Sequence, residues 1–520
     1  MMRMNSIRVQ VLCLFVLLAS AASAADVKFN SVFTDDMVLQ RGVKVPVWGE
    51  ADAAAEVSIT FNKQTVKATA DKGGHWKAEL EPLEAGGPFE LTAAGKNTVT
   101  LKNVLVGDVW ICSGQSNMEF GLTGVVNFKD ELAKADYPQL RQLHVARKVG
   151  MEPQDSISGK WEVCSPRTAA NFSAVAYFFG RELNQELKIP IGLIHSSWGG
   201  TPAESWTSKE ALEANPELKG IVEASQAKQE KLVKDYPALK EKFDQDSKDW
   251  KANAEKAKAD GKPEPAKPKA PTAPDQNSWF ATGLYNGMIK PLIPFAIKGA
   301  IWYQGESNAG RAFQYRTLFP AMIQDWRKQW GQEFPFLFVQ LANYMARKPD
   351  PGDSAWAELR EAQAMTLSLP KTGMAVIIDI GDGKNIHPTN KQDVGKRLAL
   401  AAEGIAYGKE LEFSGPMYDS MAVEGNAIRV KFKHIGGGLE AKGGGALTGF
   451  AIAGEDKKWV WATAKIDGES IIVSNEKVEK PVAVRYAWAD NPDCNLYNKA
   501  GLPASPFRTD SWDGVTVKNK

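Results

Sequence analysis

The sequence predicts an α/β protein in which a parallel sheet with covering helices is flanked by two β-rich regions. Between residues 104 and 410, apolar runs with the length of buried strands alternate with segments of helical spacing. On either side, short runs of strand-forming residues are separated by Gly, Asp and Pro, a pattern typical of β-sandwiches. A chain of 520 residues is too long for a single core, so several domains are expected.

Residues 1–24 are predicted to form a secretory signal peptide. Two arginines precede an apolar run over residues 11–22, and residues 22–24 have the small-x-small pattern of a cleavage site. An N-terminal membrane anchor is the alternative, but the run is short for a span of about 20 residues. We therefore expect a periplasmic or secreted protein with no membrane span after the signal is removed.

The composition argues against several classes of partner and cofactor. The chain has 63 Lys and Arg against 62 Asp and Glu, so its net charge of +1 does not favour a nucleic acid. After signal removal Cys112, Cys164 and Cys494 remain, which allows at most one internal disulfide. Because no zinc-ligand spacing, phosphate loop or dinucleotide motif is present, we expect neither a metal nor a cofactor.

The β-rich regions are assigned to residues 25–103, an N-terminal β-sandwich, and residues 411–520, a C-terminal β-rich domain. In the domain between them, residues 104–410, the first strand ends at residue 112. The later strands and helices follow in alternation. Predicted strands cover residues 190–197, 297–303, 336–341 and 374–380, and predicted helices cover residues 174–183, 315–330, 356–367 and 391–407.

A charged insertion interrupts this alternation at residues 209–277. Its first part is rich in Lys, Glu and Ala at helical spacing, and residues 263–274 are rich in Pro and Lys. The pattern predicts a helical hairpin followed by an irregular linker. A solvated spacer is the simpler interpretation, and a lid over the active site is the alternative.

Candidate catalytic residues follow the ends of the predicted strands. Ser116 follows the first strand, and Gly199, residues 304–308 and residues 379–387 follow three others. Because the carboxyl ends of parallel strands meet at one edge of a sheet, these residues are expected to converge. Acyl transfer needs a hydroxyl, an imidazole and oxyanion donors. Ser116 is therefore the candidate nucleophile, with an ordinary polar turn as the alternative.

The general base is assigned by elimination among five histidines. His75 and His434 lie in the β-rich regions, and His144 lies within a mixed segment. His195 lies inside a buried strand, where a core imidazole is expected. His387 lies in a loop between a strand and a helix, so it is the candidate base.

Four motifs in order resemble the sialate O-acetylesterase family of SGNH-type serine esterases. They are GQSNME at residues 114–119, SWGGT at 197–201, WYQGESN at 302–308 and IHP at 386–388. The resemblance runs through nearly the whole mature chain. It implies a flavodoxin-like core, a Ser-His mechanism and an O-acetylated carbohydrate substrate, with sialic acids, xylan and other acetylated sugars open.

The resemblance also implies the oxyanion donors. They would be the backbone amide of Ser116, an amide of Gly199 or Gly200, and the side chains of Gln304 and Asn308.

The chain departs from the family at the acid that orients the histidine. SGNH hydrolases usually carry an aspartate three residues before it, and many sialate esterases carry one two residues before it. Those positions here are Lys384 and Asn385. Asp382 is the predicted orienting acid, and Asn385, a backbone carbonyl or a Ser-His dyad are the alternatives.

Two other classes compete with the esterase. A glycosidase could use paired carboxylates such as Glu119 and Glu306, and it would keep its activity without Ser116. A non-catalytic carbohydrate-binding protein would bind sugar without turnover. The ordered Ser, Gly, Gln and His motifs argue against both.

Overall fold

The structure, a computed structural model, describes residues 26–519 and shows a mixed α/β protein. The predicted signal peptide therefore lies outside the described residues. The central sheet is built on a long strand, β1 (Thr98–Gly114), that starts in the N-terminal β region and ends in the middle of the core. The other central strands are β2 (Tyr137–His144), β3 (Trp161–Cys164), β4 (Ile191–Ser197), β5 (Gly299–Tyr303), β6 (Phe336–Val339) and β7 (Thr372–Ala375).

These strands lie in the order β3-β2-β4-β1-β5-β6-β7. All neighbours pair in parallel except the edge strand β3, which is antiparallel to β2. Ser197 at the end of β4 and Tyr303 at the end of β5 both pair with Gly114 of β1. Three strand ends therefore lie level at one edge of the sheet, as the sequence predicts.

Six helices are labelled, the one-turn helix α1 and the longer helices α2 to α6, and other short helical segments connect them. The labelled helices are α1 (Ser116–Glu119), α2 (Ala174–Leu187), α3 (Lys219–Ala259), α4 (Ala312–Trp330), α5 (Ala355–Met365) and α6 (Lys391–Ile405). The shorter segments are Leu122–Gly124, Phe128–Ala133, Pro166–Ala169, Ala203–Trp206, Lys209–Ala214, Pro274–Gln276, Tyr285–Ile289, Lys290–Leu292, Glu306–Arg311 and Thr366–Ser368. Side-chain caps start three of the long helices, because Ser173, Ser354 and Asn390 each accept a backbone N–H of the first turn.

Helices cover both faces of the central sheet. Side chains alternate between faces along a strand, and Trp302 pairs with Ser113, three residues from Trp110. Trp110 and Trp302 therefore point to opposite faces. Phe179 of α2 packs on Trp110, with ring centroids 5.0 Å apart, and Phe319 of α4 stacks on Trp302 at 6.4 Å.

The N-terminal region shares its core with the central domain. β1 crosses the predicted boundary at residue 103, and buried side chains on both sides of it form one continuous cluster. The two regions are thus joined by a strand as well as by packing. The N-terminal strands are Lys28–Phe29, Val38–Gln40, Val45–Glu50, Glu56–Phe61, Gln64–Thr69, His75–Leu80 and Gly86–Ala94.

The C-terminal region has antiparallel sheets and a hydrophobic cluster of its own. The fully buried Arg360 of α5 ties it to the central domain, because its guanidinium donates to the carbonyl oxygens of Leu341, Ala342, Ala489 and Asp490. The C-terminal strands are Met417–Glu424, Ala427–Lys433, Leu439–Ala441, Phe450–Ala453, Val460–Trp461, Thr463–Asp467, Ser470–Ser474, Ala483–Tyr486, Leu496–Asn498 and Phe507–Arg508.

The predicted helical hairpin is wrong. The insertion contains the short helix Lys209–Ala214 and then α3, one helix of 41 residues. No turn sequence interrupts α3, which continues through Pro237, and Lys-to-Asp pairs such as Lys231–Asp235 and Lys242–Asp246 support its exposed face. Among the described residues, no helix has the length and apolar character needed to cross a membrane.

Candidate active site

Ser116 is the first residue of α1, two residues beyond the end of β1. The chain leaves the sheet at Gly114, which has a φ of +139°. A Cβ at this position would lie 2.2 Å from the carbonyl oxygen of Tyr303. Only glycine allows β1 to end this close to β5, and the turn that follows brings Ser116 to the edge of the sheet.

The structure brings Ser116 and His387 together across 271 residues of sequence. The Oγ of Ser116 lies 2.8 Å from Nε2 of His387, within hydrogen-bond distance. Burial, and then the positive charge of Lys391, lower the pKa of His387. The imidazole is therefore neutral at neutral pH, and its Nε2 can accept the hydroxyl proton.

The loop around His387 holds the imidazole in place. The backbone N–H of His387 donates to Oδ1 of Asn385 at 2.9 Å. Nδ2 of Asn117 donates to the carbonyl oxygen of Ile386 at 3.0 Å. The ring also lies over Phe120, with centroids 6.4 Å apart and planes 29° apart. Backbone and ring contacts thus orient this histidine.

The structure does not bring Asp382 to His387. Asp382 is exposed, and its Oδ1 accepts the backbone N–H of Lys384 at 2.8 Å. No hydrogen bond or ion pair within residues 26–519 joins Asp382 to the imidazole, so its predicted role as the orienting acid has no contact to support it. Asn385 binds the backbone of His387 and not its ring. The carboxylate of the nearby Asp379 forms an ion pair with Arg397.

We expect Asp382→Asn to keep kcat/KM within about twofold of wild type, because the asparagine oxygen can still accept the same N–H. Asp379→Asn is the comparison variant, and it should lower the melting temperature because it breaks the ion pair with Arg397. Steady-state acetate release and thermal unfolding of both variants check this. A loss of about 10⁴-fold in Asp382→Asn would instead identify it as the orienting acid.

Two backbone amides, one at Ser116 and one in the glycine loop after β4, are not used in hydrogen bonds of the described residues. Among the hydrogen bonds of the described residues, the amides of Ser116 and Gly200 have no acceptor. The amide of Gly199, in contrast, donates to Oε2 of Glu119 at 2.7 Å. In this loop the amide of Gly200 is therefore unused, whereas the amide of Gly199 is occupied by a carboxylate.

Glu119 anchors the glycine loop against the nucleophile, a contact that the sequence analysis missed. Its other carboxylate oxygen pairs with Arg147, whose guanidinium lies 5.4 Å from the ring centroid of Trp198. A Cβ on Gly199 would lie 2.9 Å from Glu119 and 3.2 Å from Cβ of Ser116. The glycine thus permits close packing of the loop on Ser116.

The side-chain amide of Gln304, a predicted oxyanion donor, is hydrogen-bonded within the protein in this structure. Its Nε2 donates to the carbonyl oxygen of Thr201 at 3.2 Å and to Oδ1 of Asn308 at 2.7 Å, so both amide hydrogens are used. It therefore ties together the loops that follow β4 and β5. Asn308 donates one of its two side-chain amide hydrogens to Oε2 of Glu204 at 2.9 Å, and the other has no acceptor among the described residues.

A buried polar cluster beside the nucleophile was also missed. Nδ2 of Asn117 donates to Oε1 of Glu306 at 2.6 Å, and Nζ of Lys391 donates to Oδ1 of Asn117 at 2.5 Å. Burial lowers the pKa of Lys391 to about 7 against the opposing charge of Glu306, and burial raises the pKa of Glu306. Glu306 and Glu119 thus have separate hydrogen-bond partners.

Three further sequence predictions concern His195, metal binding and the cysteines. His195 is buried, with Nε2 2.6 Å from Oγ of Ser197, and burial lowers its pKa to about 3, as suits a core imidazole. Within the described part of the chain, no group of three or more His, Cys, Asp or Glu could hold a metal ion. Cys112, Cys164 and Cys494 are all free thiols.

Comparison with known proteins places this site in a family. The family model described as carbohydrate esterase, sialic acid-specific acetylesterase, matches residues 106–235 and 269–403. The unmatched residues between them belong to the second half of α3 and the Pro- and Lys-rich segment.

Relatives match over nearly the full length. The chain is 32% identical to the sialate O-acetylesterase of Mus musculus, over 96% of this chain and 97% of that protein. It is 30% identical to the Homo sapiens sialate O-acetylesterase, over 95% and 94%. A crystal structure of a carbohydrate acetylesterase from Xanthomonas citri superposes with a TM-score of 0.80 at 39% identity, over 94% of this chain and all of that one. The chain therefore belongs to the sialic acid-specific acetylesterase family of carbohydrate esterases and is a carboxylic ester hydrolase.

Proposed function

We propose that this protein is an exported SGNH-type esterase that removes O-acetyl groups from sialic acids through an acetyl-enzyme on Ser116. The observation that carries the proposal is the 2.8 Å contact between Oγ of Ser116 and Nε2 of His387. The parallel sheet, with helices on both faces and the serine at its carboxyl edge, is what a flavodoxin-like core would provide.

The first half of the reaction acetylates the enzyme. His387 takes the proton of Ser116 as Oγ bonds to the acetyl carbonyl carbon, and the carbonyl oxygen becomes an oxyanion. The free amides of Ser116 and Gly200 and the second side-chain amide hydrogen of Asn308 are the candidate donors to it. One such donor is worth about 10²–10³ in rate. The bond to the sugar oxygen then breaks, and that oxygen takes the proton from His387.

The second half releases acetate. Water gives a proton to His387 as its oxygen attacks the acetyl carbon, and the bond to Oγ breaks. Oγ recovers the proton from the imidazolium, so the enzyme returns to its starting state with no net change in charge. The reaction needs one hydroxyl, one imidazole and donors to the oxyanion, and the contact between Ser116 and His387 supports the first two roles.

Substrate choice is tested by acetate release from O-acetylated sialic acid and from acetylated xylan, measured side by side. We expect the higher kcat/KM with the sialic acid, because the mouse and human relatives are sialate O-acetylesterases. A clear preference for xylan would move the substrate to acetylated polysaccharides. Release of reducing sugar without acetate would contradict the esterase itself.

Export is proposed from the predicted signal peptide alone. If residues 1–24 are removed during secretion, the N-terminal sequence of the mature protein begins at or near Ala25. A mature protein that keeps these residues and stays with the membrane fraction would support the anchor alternative.

A further inference from the structure

Two charged side chains, Lys391 and Glu306, are both hydrogen-bonded to Asn117, the residue after Ser116. Asn117, the residue after the nucleophile, accepts a hydrogen bond from Nζ of Lys391 at 2.5 Å and donates to Glu306 at 2.6 Å. It also donates to the carbonyl oxygen of Ile386, directly before His387. One side chain thus links the nucleophile's helix to the histidine's loop and to a cation.

Lys391 is held in an unusual environment for an ammonium group. Its side chain is fully buried, and its Nζ lies 5.0 Å from the ring centroid of Phe120 and 5.1 Å from that of Tyr303. Phe120 is the same ring that stacks on His387. Burying a cation is costly unless it is hydrogen-bonded, paired or faces aromatic rings, and here Nζ donates to Oδ1 of Asn117 and lies near two rings.

The other charged groups around His387 are either paired or exposed. Glu119 of α1 pairs with Arg147 and binds the Gly199 amide. Asp382 and Lys384 of the histidine's own loop are exposed. Glu306, which follows β5, accepts a hydrogen bond from Nδ2 of Asn117, the same atom that donates to the carbonyl oxygen of Ile386. Lys391 of α6 is the charged group that acts on the imidazole.

We propose that Lys391 is a positioning residue of this site, whose buried ammonium, held by Asn117, keeps His387 unprotonated in mildly acidic solution. The inference rests on the proposed Ser-His mechanism and adds a residue to it. A cation near an imidazole disfavours the imidazolium form. Lys391, whose own pKa is about 7, carries its charge over the acidic range in which a histidine titrates. The enzyme thereby keeps its base available at lower pH.

The direct test is the titration of His387 by NMR in a Ser116→Ala background, with and without Lys391→Met. We expect the midpoint of His387 to rise in Lys391→Met and to stay unchanged in Lys384→Met, which removes an exposed cation from the same loop. Lys391→Arg keeps the charge and should keep the midpoint low. An unchanged or lower midpoint in folded Lys391→Met would overturn the proposal.

Activity of the same variants gives a second readout with Ser116 intact. For wild type and Lys391→Met, kcat/KM is measured near pH 5.5 and near pH 8. The ratio of the value near pH 5.5 to the value near pH 8 should be at least about threefold smaller in Lys391→Met than in wild type. A purely structural role would lower the rate equally at all pH values and would contradict the proposal.

Two further results keep the test decisive. If Lys391→Met does not fold, Lys391→Gln, which keeps a polar side chain beside Asn117, takes its place and should raise the midpoint of His387. An unchanged or lower midpoint in folded Lys391→Gln overturns the proposal. Since the titration needs no turnover, a failure of the esterase mechanism itself would appear separately, as retained activity in Ser116→Ala.

Discussion

Ser116→Ala is expected to lower the rate of acetate release by about 10⁴-fold or more, because the hydroxyl oxygen that bonds to the acetyl carbon is removed. Binding of the sugar should change little, since the serine contributes one small group to the site. The measurement is kcat and KM with O-acetylated sialic acid and with a chromogenic acetate ester. Melting temperatures of both proteins show that the variant is folded.

Ser113→Ala is the matched control. Ser113 lies three residues earlier on β1, and its buried hydroxyl has no hydrogen-bond partner in the described part of the chain. Its removal should leave kcat within about twofold of wild type, because no contact is lost. If Ser116→Ala kept more than about a tenth of the wild-type rate, the nucleophile would have to be sought elsewhere.

His387→Gln is the second large effect, with an expected loss of about 10⁴-fold in kcat. Glutamine cannot take the proton of Ser116, although its side chain can still form a hydrogen bond with the Ser116 hydroxyl. His75→Gln, a substitution of an exposed histidine in the N-terminal region, is the control and should be active. Comparable activity in both variants would show that His387 is not the base.

The assignment of His387 as the base also predicts the direction in which the wild-type rate changes with pH. The rate falls on the acidic side as His387 takes a proton. Because burial and Lys391 lower the pKa of His387, the midpoint of this fall must lie below the ordinary histidine value of about 6.5. A rate that is independent of pH through the acidic range, or one that falls only on the alkaline side, would contradict the assignment.

The candidate pair Ser116 and His387 could be identified from the sequence because only a few residues follow strand ends and the chain has only five histidines. A buried apolar run followed by Gly114 and Ser116 indicates the carboxyl edge of a sheet, and only His387 follows a strand in the same domain. The alternation of strands and helices predicts the central sheet for the same reason, since it depends on local periodicity.

The orienting contacts could not be predicted because they depend on pairing between distant segments. Asp382 is near His387 in sequence, yet its carboxylate turns to a backbone amide of its own loop. Glu119 binds Gly199, which lies 80 residues away. Lys391, in the first turn of α6, has the sequence context of an exposed helix residue, and only the fold shows that it is buried.

The length of α3 was mispredicted for a related reason. Pro237 and a run of Lys, Glu and Ala are compatible with two helices or one. The distinction depends on whether the chain can continue through the proline, which is decided by its exposed position and by ion pairs along the helix. Local composition predicts a helical segment here, but it does not determine whether the segment folds back as a hairpin or continues as one helix.

The central claim is an acetyl-enzyme on Ser116, and trapping it is the most direct test. The enzyme is mixed with an excess of a chromogenic acetate ester, quenched in acid within the first turnover and digested for mass spectrometry. The account predicts one acetyl group on the peptide that contains Ser116, absent from Ser116→Ala. Turnover with no acetyl group on that peptide, or with the acetyl group on another residue, would contradict it.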